Sequence, residues 1–111
     1  MRLVRSAAFK ADEIDCLEWS LERFGEKAAE RYLNLIRVAL GEICREPLIP
    51  GSRDFEGVRL FDLRHSRMRA AVDGVVVGNP RHFIVYRVRG ERTEALRLLH
   101  DSIDLPEHLV D

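Results

Sequence analysis

A single glycine, Gly25, separates two long segments in which apolar residues recur at helical spacing. The first segment carries one stripe of apolar residues spaced three or four apart: Ala7, Ala11, Ile14, Leu17, Leu21 and Phe24. This spacing predicts an amphipathic helix that packs through the stripe, with Ser6 as its N-cap and Gly25 in a left-handed conformation after its last turn. Because the connection is so short, we expect the two helices to form an antiparallel hairpin.

The second helix is predicted to begin near Glu26 and to end before Pro47. Its apolar residues cover nearly half of the helical cylinder: Ala28, Ala29, Tyr32, Leu33, Leu35, Ile36, Ala39, Leu40, Ile43 and Cys44. An arc this wide exceeds what one neighbouring helix requires. We therefore expect one part of it to meet the first helix and another part to meet a sheet.

The clearest strand signals lie at residues 81–88 and 93–100, joined by a turn at 89–92 that implies antiparallel pairing. In the first strand, one face carries His82, Ile84, Tyr86 and Val88, and the other carries Phe83, Val85 and Arg87. In the second, Leu96 and Leu98 share one face, and Arg97 and Leu99 share the other.

Earlier residues give weaker strand signals. Residues 58–64 form a candidate strand, which 67–72 are expected to continue past an irregular point before a turn at Asp73-Gly74. Residues 75–77 are compatible with either a short strand or part of a long loop.

These patterns together predict a single α+β domain over residues 1–111, built in two layers. An N-terminal edge strand at 2–6 and an antiparallel helix hairpin would pack on a twisted antiparallel sheet. The composition, 46% apolar and 33% charged, is typical of a globular protein. The sequence shows neither a run of about 20 apolar residues nor a secretory leader, so we expect a cytoplasmic protein that makes no membrane contact.

Neither cysteine nor histidine spacing indicates a metal site. Cys16 and Cys44 are expected to be free thiols that are buried or half-buried. The four histidines, His65, His82, His100 and His108, do not have the spacing of metal ligands. No glycine-rich phosphate loop is present either, and we therefore predict no metal and no cofactor.

Charge is unevenly distributed along the chain. Residues 51–100 hold ten basic residues, all of them arginine, against six acidic ones, whereas residues 101–111 hold four acidic residues and no basic one. An arginine-rich sheet surface can bind an acidic or phosphate-bearing partner, or it can pair with carboxylates of its own chain.

One group of residues has the chemistry of a ribonuclease site: Arg81, His82, Tyr86, Arg97 and His100. Cleavage of RNA by transphosphorylation requires a general base, a general acid and cations on the phosphate. The alternation of the strand, however, places His82 and Tyr86 on the same face as Ile84 and Val88. This pattern favours a packed tyrosine with a hydrogen-bonded hydroxyl and a histidine at a strand start, and an imidazole–carboxylate contact between His100 and Asp101.

Trp19 lies on the opposite side of the first helix from the apolar stripe. A lone tryptophan among Asp12, Asp15 and Arg23 is either an anchor for a partner or is covered by another segment of the chain.

Several short motifs resemble those of ParE-type toxins of the RelE/ParE superfamily. Phe24-Gly25 with Ala29 and Tyr32-Leu33 resembles their helix-hairpin junction, and Gly57-Val58-Arg59 resembles the start of their first sheet strand. The sequence from His82 to Val88 is similar to their His-x-x-x-Tyr-Arg-Val strand. Leu96 to Asp101, Ile103-Asp104 and His108-Leu109 resemble their closing motifs, with Leu98 and Ile103 replacing the usual Val and Met. The resemblance covers nearly the whole chain, except for 68–80.

This resemblance implies a type II toxin that inhibits DNA gyrase by binding, without catalysis and without direct contact with nucleic acid. A ParD-type antitoxin with a ribbon-helix-helix domain would neutralise it by wrapping a C-terminal segment over the toxin in a hetero-oligomer. We expect the antitoxin to contact the hairpin and the sheet, at Trp19, Tyr32, Ile36, Arg59, Arg87 and Arg97. We expect the target to contact Arg81, His82, Tyr86 and His100.

Two alternatives stay open. The RelE branch of the superfamily comprises ribosome-dependent mRNA endonucleases, which are usually strongly basic and commonly place a catalytic Tyr or His near the C-terminus. This chain has a net charge of −1, and its residues 106–111 are acidic and lack tyrosine. The other alternative is a binding module that has kept the fold but has lost toxicity.

Overall fold

The computed structural model describes residues 1–102, so the predicted motifs at Ile103-Asp104 and His108-Leu109 and the acidic segment 106–111 lie outside the described residues. The elements are β1 (Arg2–Arg5), α1 (Ala7–Phe24), α2 (Glu26–Arg45), β2 (Arg53–Phe55), β3 (Val58–Asp62), a 3-10 helix (Leu63–Ser66), β4 (His82–Arg89) and β5 (Arg92–His100). The sheet has the order β1-β5-β4-β3-β2, and all its pairs are antiparallel except the parallel pair of β1 and β5. The predicted two-layer α+β architecture is confirmed.

The predicted helix hairpin forms, and both of its chain signals lie at helix ends. The Ser6 Oγ accepts a hydrogen bond from the Phe9 N–H at 3.0 Å, which caps α1. Gly25 has φ +88° and ψ 178°, so it is not in the predicted left-handed helical conformation but in an extended region with positive φ that glycine alone adopts readily. This single residue ends α1 and begins α2.

The predicted orientation of α1 is wrong. The buried residues of this helix are Phe9, Glu13, Cys16 and Ser20, whereas Ile14, Leu21 and Phe24 of the apolar stripe are exposed. The reason lies at the edge of β5. Because β1 pairs with β5 only as far as Ala95, the N–H of Leu98 needs another acceptor, and the Asp12 carboxylate supplies it at 2.9 Å. This hydrogen bond holds the side of α1 that carries Asp12 against the sheet, and Phe9 and Cys16 of the same helix are buried in the core.

The wide apolar arc of α2 is buried as predicted. Its core residues are Ala29, Tyr32, Leu35, Ile36, Ala39, Leu40 and Ile43. They pack on Phe9 of α1 and on the inner face of the sheet, where Phe61, Ile84 and Leu98 are buried. This layer is the main core of the domain.

A second, smaller apolar cluster lies on the outer face of the sheet. Leu60, Phe83, Val85 and Leu99 are buried there, and Leu96 packs against them. The prediction that Leu96 shares the face of Leu98 is therefore wrong. The pairing shifts between Val85 and Tyr86, and this bulge inserts an extra residue that moves Leu96 to the outer face.

The region between β3 and β4 is not the continued strand predicted at 67–72. A 3-10 helix and turns replace it, and the Glu42 carboxylate accepts hydrogen bonds from Ser66 and Arg69 that hold this region on α2. The turn at Asp73-Gly74 is confirmed: both residues have positive φ, and Val72 and Val75 exchange two backbone hydrogen bonds across it. Val75 pairs only through this bridge, and residues 76–77 are irregular.

Candidate functional site

Four rings meet at the end of the sheet where β4 begins and β5 ends. His82 and His100 are register partners, and their ring centroids are 5.2 Å apart. The Trp19 ring of α1 meets both imidazoles edge to face, at 5.4 Å from His82 and 5.9 Å from His100. Tyr32 of α2 completes the set at 5.5 Å from His82. We refer to Trp19, Tyr32, His82 and His100 as the ring cluster.

The Tyr32 hydroxyl joins the ring cluster to the start of β4. The Tyr32 hydroxyl accepts a hydrogen bond from the Arg81 N–H at 3.1 Å and lies 2.7 Å from His82 Nδ1. The hydroxyl oxygen has a second lone pair, so the direction of its hydrogen bond with Nδ1 depends on the tautomer of His82. In either tautomer, Nδ1 is hydrogen-bonded within the domain.

The buried groups of the cluster are poor acids and bases near neutral pH. Burial, followed by repulsion from His100, lowers the pKa of His82 to about 4. Burial raises the pKa of Tyr32, and burial together with the charges of Glu13 and Asp12 raises the pKa of Cys16 to about 12. His82 stays neutral, Tyr32 stays protonated and Cys16 stays a thiol at pH 7.

An ion pair closes the exposed side of the cluster. The Arg81 guanidinium donates to both carboxylate oxygens of Asp101, at 2.8 and 3.0 Å, and the Asp101 N–H donates to the Arg81 carbonyl at 2.7 Å. The hydrogen bonds to Arg81 hold the pKa of Asp101 below its usual range. The predicted contact between His100 and Asp101 is present, with Nδ1 at 3.3 Å from Oδ1.

Tyr86 lies away from this cluster, although the sequence grouped it with His82. It is fully buried, and its hydroxyl donates to the Pro47 carbonyl at 2.6 Å and lies 2.5 Å from Ser52 Oγ. Ser52 Oγ in turn accepts a hydrogen bond from Arg59 Nε at 2.8 Å. These bonds tie the segment after α2 to β3 and β4, as expected for a structural tyrosine.

The other residues predicted to contact an antitoxin are held within the domain. Ile36 is a fully buried core residue. Arg87 Nε donates to Glu94 at 2.7 Å, and the Arg97 guanidinium donates to both oxygens of Asp12 at 2.7 and 3.1 Å. The two arginines that could have met a partner thus bind carboxylates of their own chain.

Two grooves flank Trp19. One, of about 420 Å³, runs along Asp12, Asp15, Arg97 and His100. The other, of about 450 Å³, lies between the hairpin and residues 76–81 and includes Ser20, Arg23 and Arg31. The sequence analysis named none of these three as a site residue: it placed Arg23 on the polar side of α1 beside Trp19 and made no prediction for Ser20 or Arg31.

Neither a metal site nor a membrane segment is found in the described part of the chain. Residues 1–102 contain no group of three or more His, Cys, Asp or Glu side chains placed to hold a metal ion. Over the same residues, no helix has both the length and the apolar character needed to cross a membrane.

Comparison with known proteins agrees with the fold and with the motifs. A family model described as "ParE toxin of type II toxin-antitoxin system, parDE" matches residues 3–105. One similar solved structure, described as the chromosomal ParDE TA system from P. aeruginosa, has 16% sequence identity and a TM-score of 0.68, over 90% of this chain and 95% of that chain. A search of curated proteins finds no match. Because the family model spans nearly the whole chain, the chain belongs to the ParE toxin family of type II toxin–antitoxin systems.

Proposed function

We propose that this chain inhibits DNA gyrase by binding to it, without catalysis, and that a ParD-type antitoxin with a ribbon-helix-helix domain neutralises it in a hetero-oligomer. Membership of the ParE family supports the toxin–antitoxin part of the proposal. The similar structure from P. aeruginosa is described as a ParDE system, in agreement with an antitoxin partner here. If DNA gyrase is the target, the toxin acts in the cytoplasm.

The environment of His82 and Tyr86 carries the argument against catalysis. An mRNA endonuclease of this fold would need an accessible acid–base pair beside a phosphate-binding cation. His82 is 6% exposed, and its Nδ1 is bonded to Tyr32. The Tyr86 hydroxyl donates to the Pro47 carbonyl, in the segment that follows α2. Both side chains are thus parts of the framework, which favours inhibition by binding over cleavage of mRNA.

Exposure separates the proposed contact residues into two groups. Arg81 is exposed and His100 is half-buried, so both remain our proposal for contact with the target. Trp19 is half-buried beside both grooves and remains our proposal for contact with the antitoxin. Ile36 and Tyr86 have no exposed surface, and in this conformation they can influence a partner only through packing.

Four more residues predicted to contact the antitoxin, and one predicted to contact the target, are proposed in an indirect role: Tyr32, Arg59, Arg87 and Arg97, and His82. Arg59 and Arg87 are half-buried and bonded to Ser52 and Glu94, so an antitoxin carboxylate would have to replace those partners. Tyr32 and His82 are buried beneath Trp19 and would shape the surface without forming it. Arg97 would have to give up its two hydrogen bonds to Asp12.

The exposed stripe of α1 supports the need for a partner. Ile14, Leu21 and Phe24 expose 58%, 51% and 62% of their surface on one side of a single helix. Contiguous exposed apolar side chains of this kind mark interaction surfaces in many proteins. A wrapping antitoxin would remove this surface from water.

The proposal is tested by inducing the toxin in a bacterium and following plasmid supercoiling, the DNA damage response and mRNA integrity in the same culture. We expect relaxed plasmid and a damage response while mRNA stays intact. Early mRNA fragments without a damage response would instead support the endonuclease alternative. Unchanged growth would support a module that has lost toxicity.

A pair of variants makes this test specific to the proposed mechanism. His82→Asn with Tyr86→Phe removes the acid–base groups that an endonuclease would use. If the purified double variant retains the helical content of the wild type, we expect it to keep its effect on supercoiling. Wild-type cleavage of mRNA in a translating extract that is abolished in the variant would overturn the proposal.

A further inference from the structure

The face of the sheet that points away from the helix hairpin is more completely buried than an open sheet face should be. We refer to its apolar residues Leu60, Phe83, Val85 and Leu99 as the outer cluster. Val85 exposes none of its surface, and Leu60 and Leu99 expose 2% each. Both helices pack on the opposite, inner face. Because an antiparallel sheet packed on one face usually exposes the other to solvent, this burial calls for a cover.

The connecting segments in the described part of the chain also lie on the inner side. Ile49, in the segment after α2, and Ala70, in the segment before β4, belong to the inner core or pack against it. The 3-10 helix is held to α2 by the hydrogen bond from Ser66 to Glu42. The helices and loops of residues 1–102 therefore supply no layer over the outer cluster.

Arginines flank the outer cluster at both ends of one row of register partners. The row crosses four strands, from β2 to β5, and consists of Arg53, Leu60, Val85 and Arg97. The Arg97 guanidinium reaches Asp12 of α1. The Arg53 side chain is exposed and forms no ion pair within the described residues. The row thus has an apolar middle and cationic ends.

The described chain ends at the rim of this face. A cleft of about 350 Å³ adjoins the outer cluster and is lined by Phe83, Arg53 and Arg64, together with Asp101. Asp101 is fixed there by its ion pair with Arg81 and by the hydrogen bond from its N–H to the Arg81 carbonyl at 2.7 Å. The next part of the sequence therefore starts beside the outer cluster.

The sequence that follows Ser102 complements this surface in length, polarity and charge. Residues 103–111 have four aliphatic side chains, three carboxylates and no lysine or arginine: Ile103, Leu105, Leu109 and Val110, and Asp104, Glu107 and Asp111. Nine extended residues reach roughly 30 Å, about twice the roughly 14 Å from β5 across to β2. The segment is long enough to cross the face and has the groups to cover it.

We propose that residues 103–111 form a strap across the outer face of the sheet, with aliphatic side chains on the outer cluster and carboxylates beside the flanking arginines. The strap completes the second core of the domain. It also places negative charge over arginines that would otherwise attract a phosphate backbone, so the chain itself keeps nucleic acid off this face. A partner that binds the outer face has to displace the strap or contact it.

A nitroxide on the strap tests its position in the full chain. The label is attached through His108→Cys in a Cys44→Ala background, because Cys16 is buried and does not react. We expect the label to broaden the methyl NMR signals of the outer cluster. The methyl signals of Leu33, on α2 in the helix layer, are the control and should stay sharp. Outer-cluster signals as sharp as those of Leu33 would overturn the proposal.

A mixing experiment distinguishes the chain's own strap from that of a second copy. Isotope-labelled chain without nitroxide is combined with nitroxide-labelled chain at natural isotope abundance. We expect the outer-cluster signals to stay sharp in this mixture, since the strap acts within one chain. Broadening in the mixture would assign the cover to a second copy and would overturn the proposal.

Neutralised carboxylates test the shielding of the arginines. One variant carries Asp104→Asn, Glu107→Gln and Asp111→Asn. The control carries Glu18→Gln, Glu22→Gln and Glu30→Gln, three exposed glutamates of the hairpin, so that both proteins lose three negative charges. We expect the strap variant to elute from heparin at higher salt than the control, because only it uncovers arginines of the outer face. Equal elution would contradict the shielding.

Both sets of measurements use the free toxin, so they are independent of the proposed gyrase target and antitoxin. A strap that is found in place while gyrase is unaffected would leave this inference standing and overturn only the proposed function. Gyrase inhibition by a chain whose outer-cluster signals are not broadened would have the opposite meaning.

Discussion

Tyr32 and His82 are 50 residues apart in sequence, yet their side chains share a buried hydrogen bond of 2.7 Å that joins the helix hairpin to the start of β4. The same hydroxyl accepts the N–H of Arg81 at 3.1 Å. One phenol oxygen thus satisfies two groups at the point where the sheet begins. This arrangement explains why a histidine and a tyrosine lie side by side here without forming an acid–base pair.

Replacement of Tyr32 by phenylalanine should reveal how much this hydroxyl contributes to the free energy of unfolding. The change leaves His82 Nδ1 and the Arg81 N–H without their partner while the ring still packs. We expect the free energy of unfolding to fall by about 2 kcal/mol, measured by urea denaturation. A loss below about 0.5 kcal/mol, the range of ordinary surface substitutions, would contradict this role of the hydroxyl.

The low pKa of His82 predicts a specific dependence of stability on pH. Its pKa is about 4 in the folded protein against an ordinary value of 6.5, so the unfolded chain binds more protons between these values. This contribution to stability should be complete above pH 6.5 and should be lost as the pH drops through 4, by about 3 kcal/mol in total. The groups facing the imidazole are Cys16, Tyr32, His100, Arg81, Asp101 and Asp12.

A variant isolates the contribution of His82. The carboxylates with lowered pKa, Asp101, Glu42 and Glu94, contribute stability that is lost only as the pH falls below their ordinary values of 3.8 and 4.5. Between pH 5 and 6.5 the slope should therefore belong mainly to His82. His82→Asn should flatten the curve of unfolding free energy in this window, and an unchanged slope would assign the effect to another group.

The two glycines of the hairpin should respond oppositely to alanine. Gly25 has φ +88°, a conformation that a Cβ atom strains, so Gly25→Ala should destabilise the protein by about 1–2 kcal/mol. Gly41 lies inside α2, and an added Cβ would meet only the flexible Arg45 side chain, at 3.2 Å. Gly41→Ala should therefore stabilise by about 0.5–1 kcal/mol. Thermal unfolding of both variants checks the pair, and a shift of the same sign in both would contradict it.

Asp12 and Glu94 both accept hydrogen bonds from an arginine side chain, but loss of the two interactions should change the free energy of unfolding by different amounts. Asp12 also accepts the Leu98 N–H at 2.9 Å and is largely shielded from solvent. Asp12→Ala should cost about 2–3 kcal/mol because it leaves a backbone donor and a cation without this acceptor. Arg87→Ala removes only a partly exposed ion pair and should cost less than about 1 kcal/mol.

Asp12→Asn is the control for the role of Asp12, since its amide oxygen can still accept the Leu98 N–H while the charge is lost. We expect it to fall between the wild type and Asp12→Ala in urea denaturation. Asp12→Ala should lower the free energy of unfolding more than either Asp12→Asn or Arg87→Ala. Equal losses in all three variants would contradict the role of Asp12 at the sheet edge.

The parts of the fold that local chemistry determines could be predicted from the sequence. Ser6 and Gly25 mark the ends of α1, Asp73-Gly74 marks a turn, and the apolar arc of α2 identifies the core face. The structural roles of His82 and Tyr86 also followed from strand alternation. In each case the residue types and their spacing along the chain carry the signal, even where the contacts they make are distant in sequence.

The predictions for the buried side of α1 and for Leu96 were wrong because a contact distant in sequence overrides the local pattern. The Leu98 N–H, 86 residues from Asp12, decides which side of α1 is buried, and no spacing of apolar residues within the helix carries that information. The bulge that moves Leu96 depends on the register between two strands. Ser20 became a candidate site residue only once the groove that it lines was seen.

The central claim is that this ParE-family toxin acts by binding gyrase, with His82 and Tyr86 as framework. Its most direct test is the supercoiling of relaxed plasmid by purified gyrase in the presence of increasing amounts of purified toxin. We predict dose-dependent loss of supercoiling with the wild type and with the His82→Asn, Tyr86→Phe double variant alike. Full supercoiling at a molar excess of folded wild-type toxin would contradict the account.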